Sequence, residues 1–469
     1  MSTFKPSGGS PRGRFGRFLG TLPGKSCAAA GLVVVAGAVL WLLMAGGWNP
    51  GGTVSPAPGE ADSNAAARAA KAKRQKLLNY VKPTVTAEMG DVGGTYFGRK
   101  PDPAKTRHYY VAAELEHWDF LPAGSDPVCG MVLPPAVVNK HMGWKARYVQ
   151  YTDATFTSRV PQPARLGILG PVLRGTVGEY IEVTFLNRAM GGVFSMHPHG
   201  VKYDKDSEGS YQPVAEVSSL ATNSAVKPEA NPSQGKGAAV GYGGRFTYVW
   251  YCDESSGPLP SEPSSKGWLY HSHVSSGSEI NLGLEGFIIV TDPKRARTDG
   301  TPADVDREMA GCFMIFDQSG AGDDESGNGG AFDARQWTLA QRAKAAGARY
   351  AINGYIYGNL PGLEINEGER VRWYLFGLGS EQDLHTVGWH GLRVVENGQR
   401  RGEAVELLPA SMKIADQVAD NPGNWLFQCQ VAEHMAGGMF AGVTVYPKDQ
   451  SGVSRAPDEA FFGLPTTRR

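Results

Sequence analysis

The sequence predicts an all-β protein in which one domain occurs twice, set behind an N-terminal transmembrane helix and a linker. Three observations carry that prediction. From about Pro83 the chain consists of short alternating apolar and polar runs broken by Gly and Pro, as half-buried strands require. Distant segments also match. Pro171, Leu173, Gly178 and Glu179 recur as Pro361, Leu363, Gly368 and Glu369 at one constant offset, and residues 268–274 (Trp-Leu-Tyr-His-Ser-His-Val) align with 425–431 (Trp-Leu-Phe-Gln-Cys-Gln-Val) without a gap. Finally, residues 26–48 form an uncharged, mostly apolar run long enough to cross a bilayer.

The N-terminal segment, residues 1–26, carries Lys5, Arg12, Arg14, Arg17 and Lys25, and no acidic residue precedes Glu60. Basic residues before a span place the N-terminus in the cytosol, which leaves the rest outside the cell or in a lumen. The apolar run exceeds the core of a cleaved signal peptide, and Cys-Ala-Ala-Ala stands before it rather than after. Residues 27–48 are therefore read as an uncleaved signal anchor making the protein a single-pass membrane protein. A transit peptide is the other reading of a basic, acid-free start. Residues 49–82 are a flexible linker, rich in Pro, Gly and Ala up to about Ser63, with a basic stretch over 65–80 that reads as a short helix. No Asn-x-Ser/Thr sequon lacks an intervening proline, so glycosylation does not fix the route.

Domain 1 spans 83–300, domain 2 spans 301–450, and residues 451–469 form a tail. A chain of 469 residues holds two or three domains, each able to bury a core without disulfides. In the first copy Ile181, Val183 and Phe185 share one face of a strand; in the second, Val371, Trp373 and Leu375 do. Both strands are expected to be half-buried. The boundary lies between a last strand over 287–291 and a first strand over 312–316, and the Gly- and acid-rich stretch 317–333 reads as a solvated loop. Lys plus Arg equals Asp plus Glu at 46 each, so no overall field points to nucleic acid. The five cysteines form no CxxC, which argues against a zinc finger or a thioredoxin-type motif.

Seven of the ten histidines occur either as His-x-His pairs or with Cys429 in the second copy. The pairs are His197-Pro-His199 and His271-Ser-His273. Residues two apart on a strand point to one face, so each pair can present two imidazoles to one metal centre. The second copy supplies His385, Cys429, His434 and Met439, and a blue-copper site needs two imidazoles, a thiolate and a weak axial thioether. The spacing of Cys429, His434 and Met439 lets one loop wrap a single ion.

The stretches around these residues resemble the ceruloplasmin and hephaestin family of multicopper oxidases. The likeness runs from about residue 106 to 448, through 109–119 (Tyr-Tyr-Val-Ala-Ala-Glu-Leu-Glu-His-Trp-Asp), 148–153, 166–171, 352–362 (Ile-Asn-Gly-Tyr-Ile-Tyr-Gly-Asn-Leu-Pro-Gly), 373–377 and 421–425. The resemblance implies two consecutive cupredoxin (plastocyanin-like) Greek-key β-sandwich domains, similar to the first two of that family, and copper as cofactor. It implies a type 1 site at His385, Cys429, His434 and Met439. The family also builds a trinuclear cluster from eight histidines of its first and last domains. By resemblance His197 is a type 2 ligand, His199, His271 and His273 are type 3 ligands, and His390 is a fifth. The other three positions hold Gly388, Gln428 and Gln430. Half a cluster is thus implied, completed by a second cupredoxin chain, unless the sequence is a piece of a longer gene product.

The family's iron site implies Fe(II) as reductant, with Glu381, four residues before His385, and Glu433, adjacent to His434, as the carboxylates that receive it. Tyr350 and Ala345 stand where a histidine and a glutamate are expected, so that site is incomplete. Three readings compete: a ferroxidase-type oxidoreductase, a blue-copper electron-transfer or copper-binding protein using another small reductant, and a structural module like the domains of clotting factors V and VIII. Cys129, Cys252 and Cys312 are read equally as buried thiols or as disulfide partners, and Val290 occupies a position where the family has a paired cysteine.

Overall fold

A computed structural model describes residues 101–211, 235–274, 278–317 and 347–450. The expected N-terminal segment, anchor, linker with its helix, most of the acid-rich loop and the tail lie outside the described residues. Among the described residues no helix is long and apolar enough to cross a membrane.

The described residues are all-β, with a few helices of three to five residues. Eight strands make the first sandwich: β1 (Thr106–Asp119), β2 (Met142–Tyr151), β3 (Leu173–Thr176), β4 (Tyr180–Asn187), β5 (His197–Pro198), β6 (Arg245–Tyr251), β7 (Ser265–His271) and β8 (Glu285–Thr291). Its two sheets have the orders β2-β1-β4-β6 and β3-β8-β7-β5. The second sandwich holds β9 (Arg307–Asp317), β10 (Ala348–Ile352), β11 (Glu364–Asn366), β12 (Arg370–Gly377), β13 (His385–Trp389), β14 (Val394–Glu396), β15 (Arg400–Gly402), β16 (Ala404–Leu407), β17 (Met412–Val418), β18 (Gly423–Cys429) and β19 (Phe440–Tyr446). Their orders are β10-β9-β12-β17-β14-β15 and β11-β19-β18-β13-β16.

The internal repeat is visible in the pairing. β1 runs parallel to β4 as β9 does to β12, β3 parallel to β8 as β11 does to β19, and β7 antiparallel to β8 as β18 does to β19. The matching tryptophans sit on equivalent strands, Trp268 in β7 and Trp425 in β18. Such a two-sheet, mixed parallel and antiparallel arrangement is the cupredoxin-like fold.

Alternation explains which residues form each core. Ile181, Val183 and Phe185 of β4 join Tyr109, Tyr148, Tyr248 and Trp250 inside the first sandwich. Val371, Trp373 and Leu375 of β12 join Val387, Phe427 and Cys429 inside the second. Burial goes beyond the half-buried expectation in both strands: β4 leaves only Glu182 and Thr184 partly exposed, and β12 is buried from Val371 to Gly377. For β12 the cause is the partner sandwich. Tyr374 and Phe376, on the other face of β12, pack with Leu269, Phe287 and Ile289 of the first sandwich, and the Phe287 and Phe376 rings lie 4.4 Å apart between centroids.

Polar groups pin the same joint. The Arg372 guanidinium is wholly buried; it donates to Ser264 Oγ at 3.0 Å and Ser265 Oγ at 2.8 Å across the joint, and to Asp416 at 2.8 Å within its own sandwich. Arg174 of the first sandwich meets Glu308 of the second at 3.0 Å. A buried charge is tolerated only when it is paired and hydrogen-bonded. These contacts join the inner sheets of the two sandwiches.

Candidate metal centre

Three elements bring the second-sandwich ligands together. His385 opens β13, Cys429 closes β18, which pairs with β13 in register at Val387 and Cys429, and His434 lies in the short helix Ala432–Ala436. Met439 follows that helix. Main-chain bonds close the loop: the Cys429 N–H donates to the Met439 carbonyl at 3.0 Å, and the Met439 N–H donates to the His434 carbonyl at 3.0 Å. All four residues are buried, and Cys429 and Met439 belong to the same core.

The ligand atoms of His385, Cys429 and His434 all lie within 4.8 Å of one another. The two Nδ1 atoms are 3.2 Å apart, and Cys429 Sγ is 3.7 Å from Nδ1 of His385 and 3.4 Å from Nδ1 of His434. A metal in one trigonal plane, about 2.0 Å from each nitrogen and about 2.3 Å from sulfur, would set these edges at about 3.5 and 3.7 Å. The donor set therefore fits copper in kind and in size. Burial alone would push the Cys429 thiol up, but hydrogen bonding with His385 and His434 outweighs it and holds the thiol down to about 6. Metals take the thiolate, so this favours ligation. Burial also pulls His385 down, yet Asp383 and Cys429 hold it above its ordinary value.

In the first sandwich, β5 pairs with β7 so that His197 stands opposite His271, and His199 and His273 lie just past the strand ends. The rings of His197 lie 5.0, 5.6 and 5.2 Å from those of His199, His271 and His273. His199 Nε2 and His271 Nε2 are 3.2 Å apart. His271 Nδ1 donates to the Ser272 carbonyl at 2.8 Å and His197 Nδ1 to the Glu208 carbonyl at 2.7 Å, which leaves each Nε2 with a free lone pair. Burial, then the neighbouring imidazoles, keeps His199 down at about 4 and His271 at about 3. The four imidazoles thus gather around the ends of β5 and β7.

His390 stands exposed just after β13, and its Nε2 lies 3.3 Å from Gln428 Nε2, an amide donor. The Gln430 amide fills the place a side chain at Gly388 would need, since an ideal Cβ there would be 2.3 Å from Gln430 Nε2. Glu381 and Glu433 are both exposed. Tyr350 packs its ring 5.4 Å from that of His434. Cys129, Cys252 and Cys312 are unpaired thiols, the second and third buried.

Two functional candidates had no signal that drew notice in the sequence. Asp383, 2 % exposed, points Oδ1 at His385 Nε2 at 3.4 Å. It lies before the first residue of β13, so the period of a strand gave no cue to it. Glu285 is fully buried and stands opposite His271 across β7 and β8; a glutamate inside an apolar run had no such cue.

The multicopper oxidase family model matches residues 329–449, which include His385, Cys429, His434 and Met439. The chain is 33% identical over 360 residues to Ferroxidase HEPHL1 of Mus musculus and 32% identical over 357 residues to Hephaestin of Homo sapiens, covering 73% and 72% of this chain. The chain belongs to the multicopper oxidases. It spans 29% of the length of each of those two relatives. Coagulation factor V of Homo sapiens is also 32% identical, over 73% of this chain and 15% of its own length. Copper is the cofactor that membership of the multicopper oxidases implies, and the buried thiolate and imidazoles suit it.

Proposed function

We propose that the protein is a copper-dependent oxidoreductase of ferroxidase type, which takes electrons from Fe(II) at a type 1 site made by His385, Cys429, His434 and Met439. The convergence of Cys429 Sγ with two Nδ1 atoms in a buried pocket is the observation that carries this reading. Copper held there accepts one electron at a time. Glu381 and Glu433, both exposed, supply hard oxygen donors that favour Fe(III) over Fe(II). The wholly buried Cys429 keeps water from the thiolate.

His197, His199, His271 and His273 form the half of a trinuclear cluster that this chain supplies, and a second cupredoxin domain carrying His-Cys-His completes it. Residues 27–48 anchor the protein in a membrane, with the sandwiches on the extracellular or luminal side. A purified single chain that holds four coppers and reduces oxygen unaided would rule out the partner.

A second reading has its own support. Gly388, Gln428 and Gln430 stand where the short bonded route from the cysteine to a cluster needs histidines, which favours a blue-copper electron-transfer protein without oxygen reduction of its own. Stopped-flow reduction of the blue band by Fe(II) separates the two. In Glu381→Gln/Glu433→Gln the rate should fall about tenfold, equivalent to about 1.4 kcal/mol at the entry step. An unchanged rate rejects the iron assignment and leaves electron transfer from another small reductant.

A further inference from the structure

We propose that Asp383 is a positioning residue that fixes the ring of His385 and lowers the reduction potential of the copper held by His385, Cys429 and His434. The inference rests on the type 1 reading and adds a residue that the ligand pattern does not contain.

The loop before β13 is built to hold this carboxylate. Asp383 Oδ1 accepts the Ile315 N–H of β9 at 2.8 Å, and Oδ2 accepts the Ser380 N–H at 2.7 Å and the Ser380 hydroxyl at 3.3 Å. Gly379 adopts φ +118, and an ideal Cβ there would lie 2.1 Å from Asp383 Oδ2, so only glycine leaves room for the carboxylate. A carboxylate taken out of water costs several kcal/mol, and three donors offset that cost without exhausting its lone pairs. Oδ1 lies 3.4 Å from His385 Nε2, a buried ring nitrogen that has no hydrogen-bond partner of its own.

That leaves one arrangement for the imidazole. Its Nδ1 faces Cys429 and His434, so the hydrogen belongs on Nε2, against the carboxylate. A ligand histidine that donates to a carboxylate is a stronger base, and a stronger base stabilises Cu(II) more than Cu(I). The Ile315 N–H ties the same carboxylate to β9, the strand whose Ala310, Cys312, Met314 and Phe316 pack in the joint between the sandwiches.

The test uses the full chain loaded with copper. Asp383→Asn keeps the shape and removes the charge; it should retain the blue band while Cu(II) loses about tenfold of its preference over Cu(I), a rise of about 59 mV in the one-electron potential. A folded, blue Asp383→Asn protein with the wild-type potential overturns the proposal. If that variant does not bind copper, the zinc-loaded wild-type chain decides by NMR. The His385 Nε2–H should resonate downfield of a ring N–H that has no carboxylate partner, and a resonance at the ordinary position overturns the proposal. A wild-type chain without a blue band defeats the type 1 reading instead, and the zinc measurement still judges Asp383.

Discussion

Replacing Glu285 by Gln should change how stability depends on pH, because this carboxyl is buried in the joint between the sandwiches with no full set of partners. Its Oε1 receives only the Cys312 thiol at 3.6 Å, and Oε2 has no partner. Burial pushes its pKa up from 4.5 to about 8, against the pull of Cys312 and Lys145. With the folded value above the unfolded one, the group's contribution is complete below about pH 4.5 and is lost as pH rises through about 8. Each pH unit inside that window costs the native state about 1.4 kcal/mol, so between pH 5 and 7 the wild type loses about 2–3 kcal/mol from this group alone. Lys145, lowered by burial from 10.5 to about 7, acts with the opposite sign and mainly above pH 7, which leaves the lower window to Glu285. Urea unfolding of the metal-free chain at pH 5, 6 and 7, followed by tryptophan fluorescence, measures the effect. The stability of Glu285→Gln relative to wild type should grow by about 2–3 kcal/mol across that range. Parallel profiles would show that Glu285 is ionised in the native state and that its burial has been misjudged.

Two further outcomes follow from the packing. Arg372→Met should destabilise the chain by about 2 kcal/mol in urea unfolding, below the usual figure for a broken buried pair because Asp304 and Asp416 keep part of their hydration; a change under about 0.5 kcal/mol would mean that the joint does not depend on this guanidinium. Gly437→Ala places a methyl 2.2 Å from Cδ2 of Tyr350 and must move that ring off His434, so copper affinity measured by chelator competition should fall about tenfold, and an unchanged affinity would detach Tyr350 from the site.

Much of the fold was legible because alternation and the internal repeat are properties of single strands. Ile181, Val183 and Phe185 could be assigned to one face without knowing what covered it, and the matched segments around Trp268 and Trp425 fall on equivalent strands. What a strand's second face meets is a property of the assembled sheets, and so the full burial of β12 did not show in its sequence. The meeting of Cys429 with His385 and His434 was legible for a chemical reason, since thiolate, imidazole and thioether at loop spacing have few other uses. Asp383 and Glu285 are carboxylates, common residues whose meaning comes from burial, and burial of a single acidic residue leaves no pattern along the chain.

Metal content and the visible spectrum of the full chain, wild type beside Cys429→Ser, test the proposed type 1 site most directly. The wild type should hold copper tightly in the second sandwich and show an intense blue band, with Cys429→Ser losing the band and most of that copper. Equal copper uptake and the same colour in the variant would contradict the site at His385, Cys429, His434 and Met439.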